Sequence, residues 1–242
     1  MGQELREPLN GVLGMFQLLA RTPLDRDQMM MLDLMRDSGR SLLSVVESVV
    51  DLSHIESGTL RLDPHPTSLA RLVESVASVY HAAAQSRGIE VEVTCDTRIA
   101  PALLVDSLRM RQVLSNLVAN ALDAGARGGR VVLAVESLER AESAEVVRFI
   151  VADTGSLAAA AQREHLFDPL LAARADAPSA RSALSLSICR RLVLLMGGTL
   201  EVEPSASGGM RMSFSLRLAV AEAGLPATAS VHAFERPPRK AT

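Results

Sequence analysis

Asn116 and Asn120 stand four residues apart in an apolar, helix-like stretch, and so share one helix face. A second chemical group lies at Asp153-Thr154-Gly155, where a carboxylate ends the apolar run Val146–Ala152. Near the N-terminus, Gln3 offers an amide whose nitrogen lone pair is delocalised. Such a group supplies donors and a carbonyl acceptor but no nucleophile. Cys95 and Cys189 are isolated and lack metal-ligand spacing, which predicts buried free thiols in a reducing compartment.

The elements that hold these groups must be built largely from aliphatic residues. Of the 242 residues 48% are hydrophobic but only 2% aromatic, with no Trp and the single Tyr80, which suits helix packing on a compact α/β layer. The length allows one large domain or two small ones. A formal net charge of −3 with mixed signs argues against a dedicated nucleic-acid binder, and the basic run Arg236 to Lys240 reads as a solvated tail. No apolar run approaches the ~18 residues of a membrane span and no signal peptide is evident, so a soluble, cytoplasmic chain is expected.

Leu5, Leu9, Val12, Phe16 and Leu19 recur at alternating spacings of four and three, the seam of a coiled coil. Leu13, Met15 and Leu18 widen that apolar face. Arg21-Thr22-Pro23-Leu24-Asp25 breaks the pattern; Thr22 is expected to cap the next helix, with Pro23 in its first turn. That second helix is expected from about Leu24 to Glu56, with Leu32, Met35, Gly39, Leu42, Val46 and Val49 on heptad positions. Two helices bury little alone. Apolar residues on more than one face therefore predict a four-helix bundle completed by a second copy, the alternative being a core covered by the rest of the same chain. The first helix opens at the first residue without a cap, which reads as an excised or truncated piece of a longer chain.

After Ser57-Gly58 the pattern changes. A short strand is expected around Leu60 and Leu62, then a turn at Asp63-Pro64-His65-Pro66, then a helix capped by Thr67 or Ser68 and ending near Gly88. Ile89 to Cys95 alternates as a half-buried strand. A helix is expected over about Ser107–Ala124, strands at Arg130–Glu136 and Val146–Ala152, and a helix at Ala183–Met196. Strands at Thr199–Glu203 and Met210–Leu218 complete a mixed sheet. Three longer helices on one of its faces predict a two-layer α/β sandwich.

Met1-Gly2-Gln3-Glu4-Leu5-Arg6-Glu7-Pro8-Leu9-Asn10 closely resembles the H box of sensor histidine kinases, in which a His followed by Glu-Leu-Arg-Thr-Pro-Leu-Asn carries the phosphoryl group. Asp51-Leu52-Ser53-His54-Ile55-Glu56-Ser57-Gly58 resembles the end of their hairpin, and Arg111 to Ala121 resembles their N box. The order of the later elements is similar to the ATP-binding domain shared by histidine kinases, gyrases and Hsp90 chaperones. On these motifs the chain is identified as a member of the sensor histidine kinases over about residues 1–218. The resemblance implies ATP and magnesium as cofactors. It makes Asn120 the magnesium ligand, a neutral amide oxygen suiting a hard cation already neutralised by phosphate, with Asn116 in the same site. It gives Asp153, followed by Gly155, the adenine amino group as hydrogen-bond donor.

Several positions depart from that pattern. Gln3 stands at the acceptor position, and Glu4, the family's general base, has no imidazole to deprotonate. Glu7 replaces the Thr or Asn that positions a hydrolytic water, placing a carboxylate where an anionic phospho-aspartate would come. None of the five histidines substitutes convincingly for the acceptor. Asp123 and Ala124 stand where many members carry Lys and an aromatic residue. The second glycine of the Asp-x-Gly-x-Gly pattern is Leu157. His165-Leu166-Phe167-Asp168-Pro169-Leu170 resembles the box that anchors the ATP lid, yet the following Gly-x-Gly-Leu-Gly element reads Arg181-Ser182-Ala183-Leu184-Ser185-Leu186. Gly197-Gly198 and Gly208-Gly209 remain and are expected to serve turns.

Losses confined to the acceptor, the lid and one adenine-side glycine, with the fold residues kept, predict a pseudokinase. It would regulate or dock a partner histidine kinase or response regulator, with ATP binding weak or absent. The alternative is a genuine phosphorelay kinase carrying one inactivating change at Gln3. The expected organisation is a helical hairpin over 1–58, an ATPase-like α/β domain over 59–218, and a linker or tail over 219–242.

Overall fold

The computed structural model describes residues 2–155, 167, 177–205 and 208–221. The chain opens with α1 (Gly2–Leu19) and α2 (Arg26–Glu56), antiparallel helices that pack on each other. Gly39 lets them approach closely, since a Cβ there would lie 2.9 Å from the Leu13 side chain. The heptad residues divide between two seams. Leu32 is buried and Gly39 and Val46 half-buried against α1, whereas Met35, Leu42 and Val49 lie exposed at the same seven-residue spacing. On α1, Leu9 and Phe16 are half-buried while Val12 and Leu19 are exposed. Each helix thus spends one seam on its hairpin partner and leaves a second one open.

The cap of α2 differs from expectation. Asp25 is the N-cap, accepting from the Gln28 backbone N–H at 2.8 Å while the Gln28 side chain bonds back to the Asp25 N–H at 3.1 Å. The Thr22 hydroxyl instead donates to the Leu19 carbonyl at 2.7 Å, closing the end of α1.

The α/β layer comprises β1 (His65–Thr67), α3 (Leu69–Arg87), β2 (Glu90–Cys95), β3 (Leu103–Val105), α4 (Ser107–Ala124), β4 (Arg130–Arg140), β5 (Ala144–Asp153), α5 (Ala177–Leu195), β6 (Glu201–Pro204) and β7 (Met210–Ala219). The main sheet has the order β2-β4-β5-β7-β6, with β2 and β4 parallel and every other pair antiparallel. Apolar residues of α3, α4 and α5 pack on one face of it, around Phe149 and Phe214, whose rings stack at 5.0 Å. Gly88 ends α3 in the left-handed conformation, φ +68°, as its position suggested.

The strand expected at Leu60 and Leu62 does not form. His65–Thr67 pairs with Leu103–Val105 in a separate two-stranded sheet, and the Asp63 N–H is taken by Asp106 Oδ2 at 3.0 Å. A buried side chain claimed the donor that a ladder would have used. The helix expected from Ala183 begins six residues earlier, at Ala177. Ala, Ser and Arg in place of glycines are helix-compatible, and Pro178 is tolerated in a first turn.

Candidate functional site

The central helix α4 carries Asn116 and Asn120 towards α5. Asp106 starts α4 by accepting from the Arg109 N–H at 3.0 Å, which fixes where its later turns point. Asn120 Nδ2 donates to Ser185 Oγ at 3.1 Å, and that hydroxyl donates to the Ser182 carbonyl at 2.9 Å. Cys189 on α5 is fully buried; its thiol donates to the Val113 carbonyl of α4 at 3.8 Å, and burial pushes its pKa up to about 12, with the nearby Asn116 side chain opposing the shift. Both asparagines therefore meet α5, the element that holds the substituted lid residues. Ala183 is itself buried.

Asp153 ends β5 and is 2% exposed. Its Oδ1 accepts from the Gly155 N–H at 2.7 Å and its Oδ2 from the Met210 N–H at 3.3 Å. Burial raises its pKa above the ordinary carboxylate value, and the two backbone donors partly offset the shift. Both neighbouring glycines are needed for this packing. A Cβ on Gly155 would lie 2.4 Å from the Ala124 carbonyl oxygen; one on Gly209 (φ +71°) would lie 2.2 Å from Asp153 Oδ1. Gly209 does more than turn the chain between β6 and β7, because its backbone lies directly against the carboxylate. Sequence reading missed that, since the two segments are far apart in the chain and meet only through the β5–β7 pairing.

Asp123 and Ala124 are exposed, and Asp123 is engaged with Arg87 of α3 at 2.7 Å. Gln3 and Glu4 fall in the first turns of α1, but their side chains lie outside those described, as do Leu157 and the segment His165–Leu170 apart from Phe167. The Phe167 ring lies 5.4 Å from the Arg190 guanidinium. His54 is exposed in the last turn of α2.

A contact not expected from sequence joins the hairpin to the α/β layer. Arg109 on α4 pairs with Asp51 on α2 at 2.9 Å, Gln112 Nε2 donates to the other Asp51 oxygen at 2.5 Å, and Arg109 also donates to Gln112 Oε1. All three are partly buried. The signal was present, because Asp51 and Gln112 each lie inside a recognised motif. Nothing in either motif says that they touch.

Residues 1–58 match the family described as His Kinase A (phospho-acceptor) domain, and residues 105–220 match the Histidine kinase-, DNA gyrase B-, and HSP90-like ATPase family. The chain belongs to the sensor histidine kinases, as their catalytic core. It is 37% identical over 99% of its length to the virulence sensor protein BvgS of Bordetella bronchiseptica, of which it covers 20%. It is 34% identical over 92% of its length to the sensory/regulatory protein RpfC of Xanthomonas campestris, covering 31% of that protein. The kinase core thus spans a fifth to a third of these relatives. Among solved structures, full-length ShkA in complex with AMPPNP is 31% identical, with a TM-score of 0.72 over 91% of this chain and 45% of that one. The histidine kinase AdeS of Acinetobacter baumannii, 20% identical with a TM-score of 0.57 over 90% of this chain, shares the fold.

Among the described residues, the adenine side of the family's site keeps its carboxylate. Asp153 is a buried acceptor held in place by Gly155, Gly209 and Met210. On the phosphate side the described residues are those of α4 and α5. Backbone N–H groups of Ala183 and Ser185 lie inside α5, where helical bonding consumes them, and Ser185 faces Asn120. Among the described residues, no group of three His, Cys, Asp or Glu could hold a metal ion, and no helix is long and apolar enough to cross a membrane.

Proposed function

We propose that this histidine kinase core is a pseudokinase of two-component signalling: a dimerising hairpin and an ATPase-like domain that dock or regulate a partner histidine kinase or response regulator. The hairpin would occupy 1–58, the ATPase-like domain 59–218 and a linker 219–242, on the cytoplasmic side of whatever longer protein carries them. The observation that carries the reading is the coincidence of Gln3 at the acceptor position with a glycine-free lid segment wound into α5. An amide cannot form the phosphoramidate, and helical N–H groups cannot turn to a phosphate.

Homodimerisation follows from the open seam of Val12, Leu19, Met35, Leu42 and Val49, which a second hairpin would cover with its own. The second reading, a phosphorelay kinase with one inactivating change, draws support from the intact Asn116, Asn120, Asp153 and Gly155. Incubation of the purified chain with magnesium-ATP distinguishes them from ordinary kinase behaviour. No acid-labile phosphate is expected, and its appearance would show that Gln3 is not the acceptor position. Restoring a histidine there separates the two readings.

A further inference from the structure

We propose that a buried strut, with Asp106 as its hub, joins the end of the hairpin to the point where the chain leaves the α/β layer, so that loosening α2 loosens the exit at Val220 and Ala221. The inference goes beyond the pseudokinase reading and is independent of it. Asp106 is 8% exposed and sits between β3 and α4. Its Oδ1 accepts from the Arg109 N–H and its Oδ2 from the Asp63 N–H, both at 3.0 Å. One carboxylate therefore holds the first turn of α4 and the segment that arrives from α2. Arg109 adds a second tie to the hairpin, because its side chain is the one paired with Asp51. A buried carboxylate loses heavily if its donors leave, so these pieces are held to one another.

On its other side the hub is continuous with β3. That strand pairs with His65–Thr67, and its Leu103 and Val105 are buried in the main core. Leu103 also forms an antiparallel bridge with Val220, just past β7, and the Ala221 N–H donates to the Ala102 carbonyl at 3.1 Å. Thr67, Leu103 and Val220 thus stand in one row across three segments. The entry of the layer lies on one edge of β3 and its exit on the other. From Asp51 to Ala221 every step is a hydrogen bond, an ion pair or a shared stretch of backbone, the contiguous network that coupling between distant segments can use. Its two arrangements are the Asp51–Arg109 contact made and broken.

Amide hydrogen exchange of the full chain, read by mass spectrometry, tests the strut. Asp51→Ala touches neither β3 nor the exit. It is expected to speed exchange at Val220 and Ala221 about tenfold more than at Phe149–Val151 in the centre of β5. Unchanged exchange at the exit overturns the proposal. An equal rise in β5 overturns it too, because the whole layer would then have been destabilised. If Asp51→Ala does not fold, as judged by its thermal transition, Asp51→Asn is read in its place by the same ratio. Coupling is reciprocal, so a second arm runs the other way. Val220→Pro removes the N–H that meets the Ser143 carbonyl at 2.9 Å. Exchange should then rise by a similar factor in the last turn of α2, residues 53–57, which that substitution does not touch. An unchanged last turn overturns the role given to β3.

Discussion

In the proposed pseudokinase Gln3 removes the nucleophile, and the lid residues set how much one repair can recover. Gln3→His is expected to leave autophosphorylation undetected, because phosphoryl transfer depends on positioning and on stabilising charge at the γ-phosphate. Each absent backbone donor could cost about 2.7–4 kcal/mol, by analogy with oxyanion-hole deletions. Adding Leu157→Gly, Ala183→Gly and Ser185→Gly to Gln3→His should outperform either repair alone in a radiolabelled-ATP assay. Robust activity of the single variant would instead favour the reading of a kinase with one lesion. At Asp153 the geometry gives a stability prediction. Gly209→Ala must move a carboxylate oxygen 2.2 Å from the new Cβ and hold alanine at φ +71°, so a loss of about 1–3 kcal/mol and a lower thermal midpoint are expected. Asp153 also shapes the pH response. Its folded pKa is raised, so between the unfolded value and the folded one the native state binds more protons. Its contribution to stability is therefore most favourable below the unfolded value and falls as pH rises through the folded one. Asp153→Asn should flatten that part of the urea-midpoint profile. A profile of unchanged slope would show that another group causes it.

Among the elements, α2 and α4 are coupled by Asp51, Arg109 and Gln112, of which Asp51 and Gln112 lie in two sequence motifs some sixty residues apart. Truncating Arg109 leaves a partly buried carboxylate facing only Gln112. A double-mutant cycle on Asp51→Ala and Arg109→Ala is expected to give a coupling of about 0.5–3 kcal/mol by denaturant unfolding, whereas additive effects would mean that the contact is not formed in solution. The exposed Glu56–Arg191 pair, 2.7 Å apart, should contribute little by comparison. Helix α5 shows how local composition redirects an element. A helix expected to begin at Ala183 starts six residues earlier, because the segment 177–182 holds no glycine and its Pro178 falls in the first turn.

For the molecule as a whole, the open seams on α1 and α2 dictate association. Light scattering at micromolar concentration should return a dimer. Leu42→Asp with Val49→Asp should give a monomer whose α/β layer stays folded, since both side chains are exposed in one protomer. A wild-type monomer would mean that the seam is covered by something other than a second copy.

The sequence by itself determined the hairpin, the α/β alternation and the family, because hydrophobic period and ordered motifs are local properties of the chain. Even the two seams of α2 were present in one heptad pattern, although spacing cannot say which seam faces α1. Gly39 against Leu13 decides that. Asn116, Asn120, Asp153 and Gly155 were legible as candidates from spacing and resemblance. Their partners were not. Ser185 against Asn120, Gly209 against Asp153 and Arg109 against Asp51 are contacts between segments 65, 56 and 58 residues apart. Only the packing of α5 on α4, of β7 on β5 and of α2 on α5 brings them within bonding distance, and a one-dimensional pattern carries no distance between its own distant parts.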